Sequence, residues 1–118
     1  MLFIGRGIVM KKIERKFVDW VRTGKNLKLL RADNIALRRY VCFVLRTKKG
    51  DCEGTNCDGC KFDMDNSISQ SELAEVFNVS ESMVANWENA RSEPSIDDLL
   101  FYAEICGLKL DDILVFAD

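Results

Sequence analysis

Three cysteines, Cys52, Cys57 and Cys60, are spaced C-x4-C-x2-C in a stretch that also holds Asp51, Gly54, Asn56, Asp58 and Gly59. Thiolates at such spacing can close on one cation. A tetrahedral thiolate site brings folding energy of its own. The run from Gly50 to Ser67 is long, poor in apolar residues and rich in turn formers, so it has little hydrophobic reason to order itself. A fourth ligand is needed. Cys42 precedes Cys52 by ten residues, Asp51, Asp58 and Asp63 offer oxygen, and the chain contains no histidine. Zinc suits this set. The same spacing occurs in plant-type 2Fe–2S ferredoxins, so an iron–sulfur or redox-sensing loop stays open, as do a disulfide and unliganded thiols with no cofactor. Cys106, between Ile105 and Gly107, reads instead as a small buried hydrophobe, and the same reading applies to Cys42 on a helix face.

A second group has recognition chemistry. Ser82, Ala85, Asn86 and Asn89 recur at i, i+3, i+4 and i+7, which gathers hydroxyl and amide groups on one side of a helix. The elements that position them are legible nearby. Ser69 and Glu72 form a capping box, and Leu73, Ala74 and Phe77 mark the buried side of a first helix. Asn78 stands where the chain turns, because Asn tolerates the left-handed conformation. Val79 plugs the turn and Ser80 caps the second helix, whose inner side carries Val84 and Trp87. Ala74 is small where the two helices cross. This is a helix-turn-helix pattern.

From about Ile68 to Leu114 the chain resembles the lambda-repressor-like (Cro-type, xenobiotic-response-element) family of DNA-binding domains. The matching residues are Gln70, Glu72-Leu73-Ala74, Val79-Ser80, Trp87-Glu88-Asn89, Pro94-Ser95, Leu99-Leu100, Ala103, Gly107 and Leu110 through Leu114. The resemblance implies an all-α, five-helix domain, usually dimeric, that reads double-stranded DNA with its third helix. It implies that Gln70, with Ser69 beside it, meets a phosphate. It places Glu81, Ser82 and Asn86 at base edges, Met83 or Ala85 against a thymine methyl, and Asn89 and Arg91 on the backbone. Glu88 reads as an internal hydrogen-bonding or salt-bridge residue. Three departures stand out. Glu81 carries negative charge at the groove, no Lys or Arg occurs from Ser80 to Ala90, and Ala90 replaces a glycine often found there. Phosphate neutralisation dominates affinity, so this face alone grips DNA weakly.

The net charge of −2 conceals a division that bears on that weakness. Residues 1–50 hold fourteen Lys or Arg against three acids, and residues 51–118 hold three against sixteen, giving +11 and −13. Either the two halves pair with each other, within or between subunits, or the basic half tracks phosphates through Arg38, Arg39, Lys48 and Lys49 or through Lys11 to Lys16. The pattern predicts a basic amphipathic helix over Ile8 to Arg22, with Ile13, Phe17 and Trp20 or Val21 on one side and Thr23-Gly24 ending it. Lys25 to Ala32 is ambiguous between linker, strand and helix. A helix from Ile35 to about Lys49 follows, capped by Asp33 or Asn34, with Leu37, Val41 and Val44 facing inward; in the family this is helix one. The expected organisation is therefore an N-terminal helix and linker over 1–32 and a helix-turn-helix domain over 33–118, with the cysteine-bearing segment 50–67 inserted between its helices one and two. Residues 1–9 are apolar but too short for a membrane span or signal peptide, and Met10 can itself be a start. No catalytic constellation is present. The expected protein is a cytoplasmic, homodimeric, sequence-specific DNA-binding regulator without membrane association. The alternatives are a protein-binding or antitoxin-like module on the same fold, or a metal- or redox-sensing regulator acting through Cys52, Cys57 and Cys60. Ile113 to Phe116 and the first helix are the candidate dimer surfaces.

Overall fold

A computed structural model describes residues 10–48, 50 and 67–118, together with the backbone of two short strands at Phe3–Ile4 and Gly7–Ile8. The strands, β1 and β2, form an antiparallel hairpin pairing Phe3 with Ile8 and Ile4 with Gly7. Six helices follow among the described residues: α1 (Trp20–Asp33), α2 (Ile35–Lys48), α3 (Gln70–Phe77), α4 (Glu81–Glu88), α5 (Ile96–Cys106) and α6 (Leu110–Ile113). Among the described residues the fold is all-α apart from that hairpin and one isolated bridge.

The first helix is displaced from its expected place. Residues 10–17 are not helical, Ile8 lies in β2, and Ile13 and Phe17 are 81% and 61% exposed rather than packed. Asp19 starts α1 instead, its carboxylate accepting from the Arg22 N–H at 3.0 Å. Thr23 and Gly24, expected to end a helix, lie inside it and are buried. Long-range contacts override the local stop signal. The Thr23 hydroxyl accepts from the Val115 N–H at 2.9 Å, and the Asn26 amide donates to the carbonyls of Asp112 and Ile113. The chain before α1 runs antiparallel to the C-terminal segment. Asp19 N–H donates to Val115 O at 2.7 Å and Ala117 N–H to Phe17 O at 2.8 Å, around a Val18–Phe116 bridge.

Asn34 serves two helices. Its N–H donates to Leu30 O and closes α1, while its side-chain oxygen accepts from the Leu37 N–H at 2.8 Å and opens α2. On α2 the buried stripe is Leu37, Val41 and Leu45, an i, i+4, i+8 row, and the expected Val44 is only half-buried at its edge. Helix α2 packs on α3 and α5, whereas α1 packs chiefly on α4. The core joins Leu27 of α1 to Leu37, Leu73, Val84, Tyr102 and Ile113. At its centre Phe77 meets Trp87, Phe101 and Tyr102 with ring centroids 5.8, 5.0 and 5.3 Å apart. The buried Tyr102 hydroxyl donates to Leu27 O at 3.0 Å, which satisfies it and ties α5 to α1.

Cys106 is buried as expected, and burial pushes its thiol up to about 12 from an ordinary value of 9.0. Burial also raises the Tyr102 phenol. Both groups lose their protons more readily in the unfolded chain, so stability is retained below about pH 9 and falls as the pH rises from there toward 12. Urea unfolding across this range should show that decline, reduced in Cys106→Ala. An identical slope in the variant would remove the thiol as a source.

Candidate nucleic-acid interface

Helices α3 and α4 are built by their caps. The Ser69 hydroxyl accepts from the Glu72 N–H at 3.0 Å and the Glu72 carboxylate accepts from the Ser69 N–H at 3.1 Å, completing the capping box. Asn78 closes α3 in the left-handed conformation, at φ 56°. Val79 packs against the core in the turn, and the Ser80 hydroxyl opens α4 by accepting from the Met83 N–H at 3.1 Å. Helix α4 buries Val84, Trp87 and Glu88 and leaves Glu81, Ser82, Met83 and Asn89 exposed, with Ala85 and Asn86 half-buried. Gln70, at the first turn of α3, is half-buried, and Arg91 is exposed just beyond α4. The side chains expected to meet DNA are distributed over α4, the turn after it and the start of α3.

Two adjustments are needed within that set. The Ser82 hydroxyl lies 3.2 Å from the Ser80 hydroxyl, so it is oriented by the cap. Gln70 is more committed than a phosphate contact alone suggests, because its amide donates to Glu88 Oε1 at 3.0 Å. Its second amide hydrogen is the one left for an outside acceptor.

Glu88 is the hub of a buried network. Arg31 of α1 reaches it with both prongs of its guanidinium, Nε to Oε2 at 2.7 Å and Nη2 to Oε1 at 2.9 Å, and donates from Nη1 to Ile68 O at 2.7 Å. The internal role read for Glu88 is the one it has. Its partner was not readable, because Arg31 lies in the segment whose helix was ambiguous. The network fastens three things at once: α1, the chain entering α3, and the C-terminal turn of α4. Those are the parts that must be held rigid if the polar face of α4 is to present a fixed pattern.

Residues 65–113, a little under half of the chain, match the family model described as helix-turn-helix. Residues 65–113 are a helix-turn-helix domain of the Cro-type, xenobiotic-response-element family. No curated protein and no solved structure matches the chain. The match spans α3 to α6, and α1 and α2 precede it in the chain.

The turn after α4 bears on one departure from the family pattern. Ala90 adopts φ 58°, the left-handed region in which a Cβ is strained. Ala90→Gly is expected to raise stability by about 1 kcal/mol, or roughly 4 °C in melting temperature. Thermal unfolding of the variant measures this, and a lowered melting point would contradict it.

Among the described residues the expected compensating bases are scattered, and Lys49 lies outside them. Lys48 lies 3.8 Å from Glu75 on the surface of α3, and Arg38 donates to Ala32 O. Arg39 and the Lys11–Lys16 cluster are exposed, with Lys16 resting 5.7 Å from the Phe116 ring centre. Cys52, Cys57, Cys60 and their oxygen alternatives lie outside the described residues, and Cys42 is half-buried on α2. Among the described residues no group of three or more His, Cys, Asp or Glu is placed to hold a metal ion. No helix among them is long and apolar enough to cross a membrane.

Proposed function

We propose that this chain is a sequence-specific DNA-binding regulator that acts as a homodimer and inserts α4 in the major groove. The observation that carries this reading is the division of α4 itself. Val84 and Trp87 are sunk in the core, while Ser82, Asn86 and Asn89 stand along the other side, small enough to enter a groove and able to donate and accept. The capped α3–turn–α4 unit holds that side still, and Gln70 in the first turn of α3 is the residue read as a phosphate contact. The rival reading, a protein-binding module on the same fold, draws on the acidic balance of residues 51–118. The two differ in salt response. Duplex binding should weaken steeply with added salt, and absence of duplex binding even at low salt would reject the DNA reading.

Asn86→Ala tests the assignment at residue level. An Asn amide can pair with both edge atoms of an adenine, a contact worth about 1–3 kcal/mol of discrimination. The preferred site would first be selected from a randomised duplex pool. The variant is then expected to lose about tenfold or more of its preference for that site, with little change in affinity for random duplex. Preference equal to wild type would place the reading register elsewhere.

A further inference from the structure

Helix α4 carries no base, so the grip on DNA must come from elements packed beside it. Helix α1 presses closely on the C-terminal end of α4. A Cβ built at Gly24 would stand only 2.7 Å from the Glu88 carbonyl oxygen and 2.8 Å from that of Trp87. Arg31, two turns further along α1, holds the Glu88 carboxylate. Gly24 and Arg31 therefore mark one line of contact with α4. Lys28 lies on that same side of α1, four residues after Gly24 and three before Arg31. Both Lys28 and its neighbour Lys25 are exposed.

The side chains of Thr23 and Asn26 define the opposite flank of α1, where they bond Val115, Asp112 and Ile113. By helical spacing Lys28 thus borders α4 on the flank away from α6 and the C-terminal segment, and Lys25, one turn earlier, stands further round α1 toward solvent. Lys28 also stands in line with the Arg31–Glu88–Gln70 network, which leads directly to the first turn of α3. Arg31 itself is consumed by Glu88, whereas Lys25 and Lys28 enter none of the ion pairs formed among the described residues.

Resting on the DNA reading above, we propose that Lys25 and Lys28 of α1 are phosphate-contacting residues that extend the backbone track from Gln70 along α1. They give the α4 surface the cationic grip that its own sequence lacks. No helix rearrangement is needed, because the side chain missing at Gly24 already brings α1 down onto α4. The same two charges also lie near the negative pole of α4, so a purely structural role makes a different prediction: it changes stability and leaves DNA binding alone.

The test compares wild type, Lys25→Gln/Lys28→Gln and Lys109→Gln on one duplex across a salt series. Lys109 is an exposed base at the start of α6, on the other flank of α1. Removing one lysine–phosphate pairing should lower the slope of log affinity against log salt by about 0.9, so the double variant is expected to fall by about 2 and Lys109→Gln not at all. Sequence preference should be unchanged, since phosphates carry no sequence information directly. A slope in the double variant equal to wild type, or a fall matched by Lys109→Gln, overturns the assignment while leaving DNA binding intact. A lowered melting temperature with an unchanged slope also overturns it, leaving a helix-end role. Failure of wild type to bind any duplex rejects the DNA reading first, and this inference with it.

Discussion

Arg31→Ala is expected to destabilise the fold by about 3–5 kcal/mol, because it removes one partner of a buried ion pair and strands the other. The side chains of Arg31 and Glu88 are only 13% and 2% exposed. After truncation the Glu88 carboxylate would retain the Gln70 amide and little else, and Ile68 O would lose its donor. The hydrogen bonds to Glu88 raise the Arg31 pKa. The sign of that shift means the guanidinium's share of the stability is present at every pH below its ordinary value and is lost only above it. Arg31→Lys should recover only part of the loss, since an ammonium cannot offer the two parallel donors that the carboxylate now receives. Arg31→Met combined with Glu88→Leu should be far milder than Arg31→Ala, because no charge is left buried without a partner. Urea unfolding of the three variants gives the comparison. Arg31→Ala within about 1 kcal/mol of wild type would show the pair to be no stronger than a surface one.

The helix-turn-helix was legible because its determinants are local. Ser69, Glu72, Asn78 and Ser80 act within three or four residues of themselves, and each has the role its type suggests. The apolar residues of α3 and α4 face the core for the same reason: their spacing alone decides which side they share. The front of the chain has the opposite character. Thr23-Gly24 has the look of a helix end, yet Gly24 is there because the carbonyls of another helix, more than sixty residues later, need the space. Glu88 could be read as internal, but its partner lies 57 residues away and only the folded chain brings it across. The charge division between the halves was visible, whereas the flank of α4 on which the lysines fall was not. What the residues gave was the helix with the exposed polar side, and what they withheld was the helix that holds it.

Gly24 supplies the sharpest test of that dependence. In an exposed helix, replacing Gly with Ala gains about 1 kcal/mol through backbone entropy. Here the added methyl would meet two backbone carbonyl oxygens at 2.7 and 2.8 Å, neither of which can rotate away as a side-chain end might. Overpacking of this kind typically costs about 1–3 kcal/mol, so Gly24→Ala is expected to be net destabilising by about 2 kcal/mol. Gly24→Val adds two further methyl groups and little helix propensity, and a loss of about 3 kcal/mol or more is expected. The effect should extend beyond stability. Pushing α1 off α4 moves Arg31 relative to Glu88 and, on the proposal above, carries Lys25 and Lys28 away from the phosphates they would meet. Thermal unfolding and the salt series on Gly24→Ala should therefore change together, with a lower melting temperature and a shallower salt slope. A melting temperature raised by the substitution would mean that α1 and α4 do not cross at this distance, and the positions assigned to both lysines would fall with the crossing.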